Sequence, residues 1–123
     1  MAALCGIFFD LFFLESLMFS LAPTETFKAP VKVNVATKSG SFREESFVGV
    51  FERTYEDDRE QLLAMKNTEL VERVLLDWEM KDESGVPVPF TPENKAALLR
   101  LSGAVRETVI AYWNHNVGAK AKN

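Results

Sequence analysis

The chain is short of the side chains that do most enzymatic chemistry. It has one cysteine, Cys5, and one histidine, His115, among 123 residues. A single thiol cannot close an internal disulfide, which fits a reducing compartment. One Cys and one His do not furnish a zinc site of the usual ligand types. Cys5 sits in an apolar run and His115 near the end of a helical pattern, so neither reads as half of a nucleophile–base pair. Basic charge is scarce as well. The formal net charge is -4 and the pI about 5.0, which argues against a nucleic-acid groove, whose footprint is a basic face. The one local basic excess, Lys120 to Lys122, is too short to make a patch. No Lys or Arg precedes Lys28, so the N-terminus lacks the positive region of a secretory signal.

What is present describes a globular chain. Hydrophobic residues make up 47% and charged residues 26%, a balance that folds and does not stay disordered. The length fits one domain. No internal repeat is visible.

The first 22 residues, MAALCGIFFDLFFLESLMFSLA, are strongly apolar. Asp10 and Glu15 interrupt the run, and a carboxylate at a bilayer centre costs about 2.5–3.5 kcal/mol on insertion scales. An amphipathic helix with a narrow polar face is the other structural reading; it would bury itself against this domain or a partner. Met18 opens a sequence with an ordinary soluble texture. Residues 1–17 therefore read either as an apolar N-terminal segment or as an upstream extension outside the natural product. Residues 18–117 form the domain and residues 118–123 a flexible polar tail.

Within the domain the periodicity predicts an α+β fold, with an N-terminal β-hairpin packed on about four helices. Val31, Val33 and Val35 alternate with polar residues, as in a half-buried strand. Lys38-Ser39-Gly40 makes a turn, and Phe42 to Arg53 returns with Phe47 and Phe51 on one face and Val48 and Val50 on the other. Thr54 is placed to cap a helix whose core side is Leu62, Leu63 and Met65. The acids Glu56, Asp57, Asp58 and Glu60 suit the positive end of that helix, with a divalent-metal site as the alternative. Thr68 is placed to cap a second helix, on which Val71, Val74, Leu75 and Trp78 recur at helical spacing. Lys81 to Gly85 turn the chain. Val86, Val88 and Phe90, separated by Pro87 and Pro89, read as an edge strand or an extended segment. Thr91-Pro92-Glu93 is a helix start, with Ala97, Leu98 and Leu101 as its buried side. Ser102 is placed to cap the last helix, on which Val105, Val109, Tyr112, Trp113 and Asn116 share a face and Gly118 is the stop.

The stretch Leu76-Asp77-Trp78-Glu79, then Lys81 to Asn94 (KDESGVPVPFTPEN), then Ala97-Leu98-Leu99, resembles the tail assembly chaperones of long-tailed bacteriophages. In that family a helix ending in Trp and an acid leads to a Gly-x-Pro-x-Pro-Phe turn, a capped short helix and a C-terminal helix with aromatics. Ala111-Tyr112-Trp113 takes that last position here, and the resemblance spans about residues 18–117. It implies a binding protein and not an enzyme, with no cofactor or metal. The implied partners are the tape measure protein, kept soluble before assembly, and the major tail tube protein, reached through a longer frameshifted form. The implied place of action is the host bacterial cytoplasm. Such chaperones are absent from the finished virion. Self-association is a further expectation, through the apolar N-terminal run or the hairpin edge. Trp78, Phe90, Tyr112 and Trp113 are the candidate partner contacts, against core packing as the plain alternative. The competing functions are a small membrane-associated protein anchored by the N-terminal run and a metal-dependent enzyme using the acidic cluster.

Overall fold

The computed structural model describes residues 17–117. The expected N-terminal helix, the Gly118 stop and the polar tail lie outside the described residues.

Strands β1, Thr26–Ala36, and β2, Phe42–Glu52, pair antiparallel over their full length. The turn between them closes as Thr37 N–H donates to Ser41 O at 2.9 Å and Gly40 N–H to Thr37 O at 3.1 Å. Gly40 takes φ +88°, a conformation that a side chain would strain. Side chains then alternate as the pleat requires. Phe27, Ala29, Val31 and Val33 face the core, while Lys28, Pro30, Lys32 and Asn34 are exposed. On β2, Phe47, Gly49 and Phe51 face inward.

A third strand replaces the second half of an expected helix. The spacing of Val71, Val74, Leu75 and Trp78 predicts a helix through Trp78, but the helix ends at Val74 and β3, Leu75–Glu79, pairs antiparallel with β2. Sheet order is β1-β2-β3. The register carries a bulge. Leu75 lies opposite Phe51, yet Asp77 lies opposite Val50, so Leu76 is an extra residue. One extra residue inverts the alternation of a strand. Leu75 and Trp78, three apart, thereby share the core face and are both buried. Gly49, opposite Trp78, is bare for a reason. A Cβ there would stand 2.7 Å from the Phe51 ring and 3.2 Å from Leu75 Cδ1.

After the sheet hairpin come a 3₁₀ turn, Glu56–Asp58, and the short helix α1, Arg59–Leu63. Then follow α2, Asn67–Val74, and, beyond β3, α3, Pro92–Leu99, and α4, Ser102–Asn116. The fold is α+β, with the hairpin packed on four helices as expected. Helix α4 lies along β1, and α2 packs on α4, so the helices cover one face of the sheet.

Several local expectations shift. Thr54 caps nothing: its hydroxyl is buried against the Tyr112 phenol, and its N–H donates to Asn116 Oδ1 at 3.0 Å. Thr68 lies inside α2; Lys66 holds the cap position, where its N–H donates to Glu69 Oε1 at 3.1 Å. Ser102 is the first helical residue and Leu101 the cap, with no side-chain hydrogen bond. Leu63 and Leu101 are exposed, and so is Ala97; α1 buries Leu62 and α3 buries Leu98, with Leu99 half-buried against the core. Thr91 caps α3 as expected, its Oγ1 accepting from Asn94 N–H at 3.1 Å.

Candidate partner-binding groove

The joint between β3 and α3 is rigid, and its rigidity follows from its sequence. Asp82 Oδ1 accepts from the N–H groups of Ser84, at 2.9 Å, and Val86, at 3.0 Å. Gly85 takes φ +79°. Val88 N–H donates to Met80 O at 2.9 Å, so Val88 pairs although the prolines on either side of it lack donors. Trp78 Nε1 donates to Val88 O at 2.8 Å, and Phe90 packs edge-on against Trp78 with centroids 4.8 Å apart. Lys95 Nζ donates to Glu72 O at 2.8 Å and Leu75 O at 3.0 Å, where α2 gives way to β3, and stands 5.4 Å from the Phe90 ring. A cation there satisfies carbonyls that a helix end leaves orphaned.

This joint forms one wall of an apolar groove of about 770 Å³. Val33, Val35 and Phe47 of the hairpin line it opposite Met80 of the joint and Leu98, Leu101 and Ala104 of the α3–α4 corner. The groove follows from a mismatch of lengths. Eleven residues of strand extend about 36 Å at 3.3 Å each. Fifteen residues of α4 cover about 22 Å at 1.5 Å each. Gly103, near the start of α4, already sits over Val33, so the hairpin overhangs beyond it. The rim is charged and paired: Arg43 bonds Glu45 at 2.5 Å and lies 3.8 Å from Glu83. The Glu45 hydrogen bond, then its charge, hold the Arg43 guanidinium above its ordinary value.

The other end of the sheet is closed. Phe27, Phe51 and Tyr112 stand with centroids 5.7 to 6.0 Å apart, and Arg53 lies over Phe27 at 5.3 Å. A smaller cleft of about 410 Å³ opens beside them, lined by Arg53, Tyr55, Arg59 and Trp113 among others.

The four aromatic candidates fall into two pairs on either side of the core. Trp78 is 6% exposed and Tyr112 fully buried, so both pack in the core. Phe90 and Trp113 are half-buried, one behind the groove and one in the small cleft. None of the four lines the groove. Its lining residues Val33, Val35, Met80 and Leu101 were not singled out from sequence as a site. Leu101, read from sequence as part of a helix's buried side, is 60% exposed at the groove.

Among the described residues, no cluster of three or more His, Cys, Asp or Glu is arranged to hold a metal ion. No described helix is long and apolar enough to cross a membrane. No family model, curated protein or solved structure matches the chain.

Proposed function

We propose that the chain is a tail assembly chaperone of a long-tailed bacteriophage. It binds the tape measure protein and keeps it soluble while tail tube protein assembles around it, in the host bacterial cytoplasm. It acts as a binding protein without a cofactor, is absent from the finished virion, and meets the major tail tube protein through a longer frameshifted form. The observation that carries the reading is the apolar groove between hairpin overhang and α3–α4 corner. A groove of that kind takes the apolar stripe of an amphipathic helix. A very long helical client exposes such stripes and aggregates unless they are covered. The net charge of -4 keeps a chaperone–client complex in solution. The Trp-acid, Gly-x-Pro-x-Pro-Phe and capped-helix pattern of residues 76–99 points the same way.

The test is co-expression with fragments of a tape measure protein. The chain should raise the soluble fraction of a fragment and co-purify with it, and Leu101→Glu should abolish both. A fragment that stays insoluble in the presence of the chain overturns the reading. A second reading, a membrane-associated protein, draws on Leu17, Met18, Phe19 and Leu21, which are 64% to 91% exposed and continue the apolar run. Recovery of the chain in the membrane fraction would favour it.

A further inference from the structure

We infer that the free edge of β1 docks a second copy of this chain, the two β1 strands pairing antiparallel about a two-fold axis at Val33. The inference stands on backbone hydrogen bonding and does not need the client of the proposed function.

β1 and β3 are the outer strands of the sheet, and their free edges differ. Side chains take backbone groups of β3: Trp78 N–H donates to Asp77 Oδ1 at 2.8 Å, and Leu75 O accepts from Lys95 Nζ at 3.0 Å. On β1 the phase of the ladder tells which groups are free. Arg53 N–H donates to Glu25 O at 2.8 Å at one end of the hairpin, and Thr37 N–H to Ser41 O at 2.9 Å at the other. Both pairs continue the register of β1 and β2. Odd-numbered residues of β1 therefore bond to β2, and even-numbered ones turn their N–H and C=O to the free edge. Thr26 O accepts from Thr24 Oγ1 at 2.8 Å, and Pro30 has no N–H to offer. Among the described residues the backbone groups of Lys32, Asn34 and Ala36 have no partner. An unpaired row of this kind is a template for another strand.

The edge is complementary to itself in one register. Outward-facing groups must meet, so the two-fold passes through Lys32, Val33 or Asn34. At Lys32 it sets two ammonium groups face to face, which repel. At Asn34 it sets Lys32 beside Ala36 of the second copy, backed by Phe42, with no acid opposite. At Val33 the core side matches Val33 with Val33 and Val31 with Val35. On the outer side Lys32 lies beside Asn34 of the second copy, whose own neighbour on β2 is Glu44. Among the described residues neither Lys32 nor Glu44 forms an ion pair within the chain. The two would stand about 9.6 Å apart at the usual strand spacing. Lys28 already bridges such a span, reaching from β1 across β2 to Glu79 of β3 at 2.5 Å. Pro30 faces Ala36 of the second copy and ends the ladder, since that copy turns away at Thr37. Val33 and Val35 also line the groove, so the two grooves meet along the shared edge. The contact uses the free β1 edge of both copies and closes as a dimer.

The experiment is light scattering on the full chain and its variants. The full chain should run at twice 13.9 kDa. Asn34→Pro removes an outward N–H and no hydrogen bond of the hairpin, as Pro30 does already, and should give a folded monomer. Lys32→Glu should weaken the dimer about tenfold, and adding Glu44→Lys should restore it, which a merely structural lysine would not do. The register has its own readout. In a Cys5→Ser background Val33→Cys should cross-link on oxidation, since facing Cβ atoms stand about 4.5–5.5 Å apart, and Asn34→Cys should not. A monomeric full chain overturns the inference, as does an assembly that persists in both Asn34→Pro and Lys32→Glu. Cross-linking at Asn34 in place of Val33 overturns it too.

Discussion

At the Thr26–Glu52 end of the sheet Phe27, Phe51 and Tyr112 close on one another. At the Ala36–Phe42 end Val33, Val35 and Phe47 face a groove. Both ends draw on the same strands and the same alternation. The difference lies in what covers them. The C-terminal half of α4 lays Tyr112 over the closed end, and its N-terminus stops at Val33, leaving the overhang without a lid. An apolar surface is completed or left available by the length of its neighbour, and composition does not distinguish the two cases.

Substitutions at the two ends should behave oppositely. Phe51→Ala at the closed end empties a fully buried site and should cost about 3–5 kcal/mol, read as a lower denaturation midpoint. Gly49→Ala forces a methyl against the Phe51 ring and should cost about 1–3 kcal/mol, the usual range for overpacking; a small loss there would mean that the ring can swing aside. Tyr112→Phe strips the buried Thr54 hydroxyl of its partner and should cost about 1 kcal/mol.

That last variant also has a signature in pH. Burial, opposed by the Thr54 hydrogen bond, raises the Tyr112 phenol above its ordinary 10.0. The folded protein then keeps a proton that the unfolded chain has released. Stability is whole below pH 10 and falls as pH rises beyond it. Tyr112→Phe should flatten this alkaline decline in melting temperature. The remainder belongs in part to Lys28, whose hydrogen bond to Glu79, and then the Glu79 charge, raise its ammonium above 10.5, with the same sign. The smallest effect belongs to the open end. Leu101→Glu should change stability by no more than about 0.5 kcal/mol while removing client binding. If it instead unfolds the domain, the groove is part of the core and the contrast between the ends collapses.

The elements legible in the sequence are those whose cause is local. The Gly40 and Gly85 turns, the Thr91 cap and the Val31–Val35 alternation each depend on residues within a few positions, and each stands where it was read. Thr54 was misread because its partner, Tyr112, is 58 residues away. The four aromatics stood in the sequence as candidate partner contacts, with core packing as the alternative, and local pattern did not decide between inside and outside. Burial depends on which surfaces meet, and Trp78 is enclosed by Phe47 from β2 and Phe90 from beyond the turn.

By itself the sequence determined the class of fold, the hairpin and its register turn, and the corner that starts α3, because propensity, turn chemistry and capping act over short range. Only the tertiary structure decided the fate of Val71, Val74, Leu75 and Trp78. Their spacing suits a continuous helix, but the edge of β2 needed a partner, and the chain leaves the helix at Val74 to supply one. The extra residue Leu76 inverts the strand and returns Trp78 to the core. A bulged strand and a helix can bury the same pair of residues three apart. The choice between them was made by the unpaired backbone groups of β2, which no local pattern contains.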